Sequence, residues 1–175
     1  MLNSKPGNKN YNQGNYIPTN KDKVLKLNTG GGVFYRSSWE KKIMIWLDTK
    51  PEIIQWGAEC LEIPYQMTHF DSGDTHIKSH RYYPDFFYRM RNKNGSLKEV
   101  VVEVKPMKEY KMVQDLSEGR MTVPESGMKK LKNFEYDLKM AYKNKQKWET
   151  MIAWCNKKGY DFIIITEEHL KKFNL

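Results

Sequence analysis

Cysteine is scarce: the 175 residues hold two, Cys60 and Cys155, and no Cys-x-x-Cys pair. That excludes a disulfide scaffold and a thiolate zinc site, and leaves both thiols expected as small buried apolar residues. Long hydrophobic runs are missing as well. No stretch approaches the roughly 18 consecutive apolar residues of a membrane span. Met1-Leu2-Asn3-Ser4-Lys5-Pro6-Gly7 has no apolar signal-peptide core, so the chain is expected to be soluble, made in the cytoplasm and without a membrane partner. Acid is short relative to base, with 21 Asp and Glu against 30 Lys and Arg, a net charge of +9 and a pI near 9.4. That surplus draws polyanions, nucleic acid first and an anionic membrane surface second. A hydrophobic fraction of 39% suffices for one sizeable core, so one domain with appendages is expected.

Residues 1–32 are rich in Asn, Lys and Gly, carry five Lys against one Asp and end in Gly30-Gly31-Gly32. This reads as a flexible basic arm on a hinge, with the folded domain spanning 33–175. From Ser37 the spacing of Trp39, Ile43, Met44, Trp46 and Leu47 predicts a helix, stopped by Asp48-Thr49-Lys50-Pro51. Ile53-Ile54-Gln55-Trp56 and Leu61-Glu62-Ile63-Pro64-Tyr65 are β-prone. Arg81–Arg91 and Leu97–Lys105 flank Lys93-Asn94-Gly95-Ser96, a strong hairpin signal. Pro106, Gly119, Pro124 and Gly127 divide residues 106–128 into short pieces, which predicts a surface loop or lid. Lys129–Lys158 reads as helix, in one piece or two, with Trp148, Met151, Ile152 and Cys155 on one face and Gly159 as its cap. Tyr160-Asp161-Phe162-Ile163-Ile164-Ile165 is nearly all apolar, as in a strand buried on both faces, and Thr166-Glu167-Glu168 opens a last short helix. The order gives an α/β fold, a central sheet covered by helices on both faces.

Chemistry concentrates in Val100-Val101-Val102-Glu103-Val104-Lys105. Side chains alternate in a strand, so Val101, Glu103 and Lys105 share one face and Val100, Val102 and Val104 the other. A carboxylate and an ammonium thus leave the same face. Asp85 sits in the aromatic run Tyr82-Tyr83-Pro84-Asp85-Phe86-Phe87-Tyr88, where an unpaired acid is costly and a cation is the natural partner. A two-residue Asn94-Gly95 loop would set Asp85 opposite Val104 and on the wrong face. A three-residue loop, Lys93-Asn94-Gly95, sets it opposite Glu103, so that loop, or a bulge with the same effect, is predicted. Glu40 falls within the apolar arc of the first helix, between Leu47 and Met44. It can serve as a third acid at a metal or water, or close a capping box with Ser37. Asp85, Glu103 and the backbone carbonyl of Val104 form a hard-oxygen set for one or two Mg²⁺ ions, with Mn²⁺ as a substitute. Lys105 would orient or deprotonate a water and offset charge at a phosphate, which suits phosphodiester hydrolysis.

Pro84-Asp85 followed after a hairpin by Glu103-Val104-Lys105 resembles the PD-(D/E)xK nuclease motif, and the preceding helix with Glu40 is where many members carry another acid. A second set of segments comprises Tyr35-Arg36-Ser37-Ser38-Trp39-Glu40, Glu62-Ile63-Pro64-Tyr65, His80-Arg81-Tyr82-Tyr83-Pro84-Asp85-Phe86-Phe87, Lys147-Trp148-Glu149 and Phe162-Ile163-Ile164-Ile165-Thr166-Glu167. Together, from about Tyr35 to Leu170, these resemble the head completion nucleases of T-even-type tailed phages. The resemblance implies a restriction-endonuclease-like fold and a virion-associated nuclease, in the virion or host cytoplasm, acting on DNA ends left after packaging beside head or portal proteins. It also implies a helix after the Glu-x-Lys strand that helps hold DNA, which falls on Lys143, Lys145, Gln146 and Lys147. The competing readings are a DNA-end-binding or head assembly protein that keeps the nuclease fold without cleaving, and a transposase-subunit or junction-resolvase type of endonuclease. Asp71-Ser72-Gly73-Asp74 reads as a turn, not as a second metal site with His76 and His80. Residues 105–147 carry eleven Lys and Arg against six acids, in keeping with salt-sensitive phosphate contacts.

Overall fold

A computed structural model describes residues 12–71 and 74–172. The valine run makes β7 (Leu97–Val104), and its hairpin partner is β6 (Phe86–Arg91), paired with Phe86 opposite Val102 and Arg91 opposite Leu97. Their connection is the three-residue loop Lys93-Asn94-Gly95. The Asn92 N–H donates to the Ser96 carbonyl at 2.8 Å, the Gly95 N–H returns to the Asn92 carbonyl at 2.9 Å, and Gly95 takes the left-handed φ of 85° that a side chain resists. The register needed to bring Asp85 beside Glu103 is therefore the one formed. β3 (Ile53–Ala58) pairs antiparallel with β6, and β8 (Asp161–Ile165) lies parallel to β7, giving a mixed four-stranded sheet in the order β3-β6-β7-β8. β4 (Ile63–Asp71) and β5 (Asp74–Tyr82) form a separate long hairpin, with Asp71 opposite Asp74; Ser72 and Gly73 of the expected turn lie outside the described residues.

The alternation along β7 divides the core. Val100 and Val102 pack with Ile43, Met44 and Leu47 of α1 (Ser38–Thr49), while Val101 packs with Tyr82, Phe87, Met151 and Cys155 on the opposite face. Each such side chain, fully buried, contributes on the order of 1.5–3 kcal/mol of transfer free energy. The second face is covered by α3, one unbroken helix over Met128–Lys158, whose buried Ala141, Asn144, Trp148, Met151 and Cys155 recur every three or four residues. Gly159 ends it with φ 72°. Ile152, expected on that face, is exposed. Cys155 is buried as expected; Cys60 is half-buried, its sulfur close over Gly57.

Three further expectations are corrected. The segment after β7 is not a loop: Met107–Ser117 form α2, which packs on α3 through Val113. Pro106 stands at its N-terminal cap and Gly119, φ 67°, just past its end, so the residues read as breakers are boundary signals of a helix. β8 is not buried on both faces; it lies at the edge of the sheet and Ile163 remains 37% exposed. Then α4 (Glu167–Lys172) follows, with Leu170 returning to the core.

The third correction concerns the N-terminal arm. Residues 1–11 lie outside the described residues, but from residue 12 the chain is built into the domain. β1 (Gly14–Tyr16) pairs with β2 (Val33–Tyr35) across the boundary expected at residue 32. The glycine run is no hinge, because the Asn28 side-chain oxygen accepts from the N–H groups of Gly30 and Gly32 at 3.1 and 3.0 Å. Asp48 of α1 holds the segment from inside. Fully buried, its carboxylate accepts from the Tyr16 hydroxyl at 2.8 Å and the backbone N–H groups of Thr19 and Asn20 at 2.8 and 3.0 Å. Beyond it, the Leu25 N–H donates to the Trp56 carbonyl at 2.8 Å along the β3 edge.

Candidate active site

Asp85 stands at the break between β5 and β6, where Pro84 interrupts pairing and turns the chain. One of its carboxylate oxygens accepts from the Val104 N–H at 2.6 Å, which fixes the side chain against the end of β7. Glu103 is only 3% exposed. Its Oε2 accepts from the Tyr82 hydroxyl at 2.5 Å and its Oε1 pairs with the Lys105 ammonium at 3.1 Å. Burial and the charge of Glu103 push the Asp85 carboxyl up to about 7, against the Val104 hydrogen bond and the Lys105 charge. Burial opposes the charge of Lys105, but Glu103 and Asp85 outweigh it and hold the ammonium above its ordinary value. Burial first, then Glu103, pushes the Tyr82 phenol up, so it remains a proton donor.

Of the two roles the sequence left open for Glu40, the cap is formed: the Ser37 hydroxyl accepts from the Glu40 N–H at 3.1 Å, and Glu40 accepts from that hydroxyl at 2.9 Å and from the Arg36 N–H, not that of Ser37, at 2.8 Å. It also lines a cavity of about 420 Å³ with Asn12, Val104, Pro106 and Glu109, and its charge reaches Asp85. Arg36 forms a two-pronged pair with Glu59, and the Glu59 N–H donates to the Asp85 carbonyl at 3.1 Å. Glu59 pays for this in backbone conformation with φ 44°, a left-handed position that costs a non-glycine residue of order 1 kcal/mol and is common where a site is held rigid.

The residues expected on the DNA-holding helix divide. Lys143 is exposed, Lys145 pairs with Glu149, and Gln146 is tied to the hairpin by accepting from the Thr68 N–H at 3.3 Å. Lys147 turns inward, its ammonium 5.1 Å from the centre of the Tyr82 ring. Three contributors were not picked out from sequence. Tyr82 was visible only as part of an aromatic run. Glu109 and the buried Asn144, joined at 3.3 Å, depend on the unpredicted α2.

Among the described residues no three His, Cys, Asp or Glu side chains close into a ready-made cation cage. The donor set nonetheless suits a divalent ion: two adjoining carboxylates and a carbonyl are hard oxygen ligands, and Asp85 is raised first by burial and then by the Glu103 charge, both of which a bound cation would offset. With the folded-state value above the ordinary 3.8, the folded protein binds the extra proton, so this group's contribution to stability falls as pH rises from about 4 to about 7. Metal-free protein is therefore expected to lose melting temperature over that range relative to an Asp85→Asn variant. Parallel curves for the two proteins would refute the assignment.

A mixed sheet flanked by helices, with an aspartate before one strand and Glu-x-Lys ending the next, is the architecture of restriction-endonuclease-like nucleases. Residues 50–167 match the TnsA-like endonuclease N-terminal family, and the chain belongs to that family and, through it, to the PD-(D/E)xK nucleases. The chain is also 33% identical to the head completion nuclease of Enterobacteria phage T4 over 139 residues, 79% of this chain and 81% of that protein. No helix among the described residues is long and apolar enough to cross a membrane.

Proposed function

We propose that the chain is a metal-dependent deoxyribonuclease acting on DNA ends as a phage head is completed, in the host cytoplasm or virion and beside head or portal proteins. The observation that carries this reading is the buried Asp85–Glu103 pair with Lys105 alongside. Asp85, Glu103 and the Val104 carbonyl would hold Mg²⁺, or Mn²⁺ in its place, with Glu40 as a further acid at the cavity. Such an ion, when bound, supplies positive charge against the phosphate and acidifies water. Lys105 orients the attacking water and offsets charge at the scissile phosphate, and Glu103 keeps that ammonium protonated and in place. Tyr82 fixes the Glu103 carboxylate. Lys143 and Lys147 are the DNA contacts proposed on α3, since Lys145 and Gln146 have partners within the protein.

The direct test is incubation of the protein with linear and supercoiled circular DNA, in Mg²⁺ or in EDTA. Mg²⁺-dependent loss of linear DNA is expected, and cutting of the circle would add internal cleavage. A folded protein that binds DNA yet cleaves neither form with any divalent ion would refute the reading and favour an assembly role. Tyr82→Phe removes only the hydroxyl that fixes Glu103, and losing such a supporting bond typically lowers activity about 10-fold or more. An unchanged cleavage rate in this variant would show that Glu103 needs no such anchor.

A further inference from the structure

We propose that Lys147 is a second catalytic cation, one that contacts a non-bridging oxygen of the scissile phosphate opposite Lys105. The inference rests on the nuclease reading above and gives the site a charge that the Glu-x-Lys strand does not provide. The lysines of α3 differ in their surroundings. Lys143 is exposed and Lys145 pairs with Glu149, whereas Lys147 is half-buried on the side of the helix that covers Val101, Phe87 and Tyr82. Its ammonium lies 5.1 Å from the centre of the Tyr82 ring, whose hydroxyl holds Glu103 Oε2. Tyr82 thus has Glu103 at its hydroxyl and the Lys147 charge against its ring.

Electrostatics supports the same placement. Burial lowers the affinity of Lys147 for its proton, Lys143 and Lys105 act in the same direction, and Glu103 and Asp85 act against them. The ammonium therefore lies in the field of both active-site acids and of Lys105, yet the acids do not fully compensate for its burial. A cation in that condition gains when an anion arrives, and gains most when charge on that anion rises. Water attack on a phosphodiester does this: a P–O bond forms to the water oxygen as the water gives up one proton to solvent, and negative charge builds on the non-bridging oxygens. The P–O bond to the sugar oxygen breaks with its electron pair staying on that oxygen, which takes up a proton to leave as a hydroxyl. Lys147 keeps its proton throughout. Its ammonium already sits against the Tyr82 ring, so the contact needs little reorganisation.

The test compares Lys147→Ala, Lys147→Met, Lys147→Arg and Lys143→Ala on linear DNA in Mg²⁺, with kcat and KM separated and DNA binding followed against salt in EDTA. If Lys147 acts at the reacting phosphate, Lys147→Ala lowers kcat about 100-fold, the scale seen when one transition-state donor is removed, and changes KM little. Lys147→Arg recovers part of the rate. Lys147→Met keeps an unbranched side chain of similar size without the charge and carries the test should the alanine variant melt early. Lys143→Ala raises KM and reduces the salt slope, as loss of a backbone phosphate contact should. If Lys147→Met instead keeps the wild-type kcat and loses only affinity, Lys147 is a backbone contact and the proposal is overturned while the nuclease reading stands. A wild-type protein that does not cleave overturns both.

Discussion

Glu103→Gln is expected to lower DNA cleavage about 10³-fold without unfolding the protein, at the upper end of what removing one preorganised electrostatic group costs. The substitution is nearly isosteric. The Tyr82 hydroxyl can still donate to the amide oxygen, so the buried bond now 2.5 Å long survives in neutral form. What disappears is the negative charge. Lys105 loses the partner at 3.1 Å that holds its ammonium, and Asp85 loses the neighbour whose charge adds to its burial in raising its carboxyl. The Asp85 carboxyl should therefore ionise at lower pH in the variant, and the metal-free stability slope between about pH 4 and 7 should flatten. Single-turnover rates at saturating Mg²⁺, read beside a melting curve, separate lost chemistry from lost fold. A glutamine variant that cleaves within a few-fold of wild type would remove Glu103 from the mechanism.

The second large effect is on stability. Asp48→Ala should destabilise the domain by about 3 kcal/mol, because it removes one buried carboxylate and leaves the Tyr16 hydroxyl and the N–H groups of Thr19 and Asn20 without their acceptor. Each lost bond involves a charged acceptor, and the small cavity offers no substitute. The consequence extends to function, because the segment Asp48 anchors brings Asn12 to the cavity lined by Glu40 and Val104. Urea denaturation should show a lower midpoint, and limited proteolysis should cut residues 12–32 sooner than in wild type. A shift within about 0.5 kcal/mol, as at an ordinary surface site, would mean that the segment is held elsewhere.

The strand that carries Glu103 and Lys105 was legible in the sequence because its information is local. The alternation of Val101, Glu103 and Lys105 sets the face, and Gly95, the residue best able to take the left-handed position, sets the loop length and so the register that brings Asp85 alongside. Residues 12–32 were misread for the opposite reason. Their composition is that of a flexible tail, and what orders them is a contact some thirty residues away with Asp48, an acid that the linear pattern offers only as a helix stop. α2 was missed because Pro106 and Gly119 are the same residues whether they break a helix or bound it. The apolar spacing of Tyr110, Val113 and Leu116, which pack into one cluster, was the signal that could have decided between the two. β8 shows the limit of apolar composition, since an isoleucine run marks a strand without saying whether a neighbour lies beyond it. The same limit applied to α3, where only the folded arrangement separates Lys147, turned in toward Tyr82, from Lys143 in solvent.

The central claim is that Asp85 and Glu103 together form a divalent-cation site, and calorimetric titration of Mn²⁺ into DNA-free protein at pH 6 addresses it most directly. Wild type should bind the ion with release of protons from the raised Asp85 carboxyl, and Asp85→Asn and Glu103→Gln should each lose that binding while still unfolding in one cooperative transition. Equal binding by all three proteins, or cleavage by wild type that continues undiminished in EDTA, would contradict it.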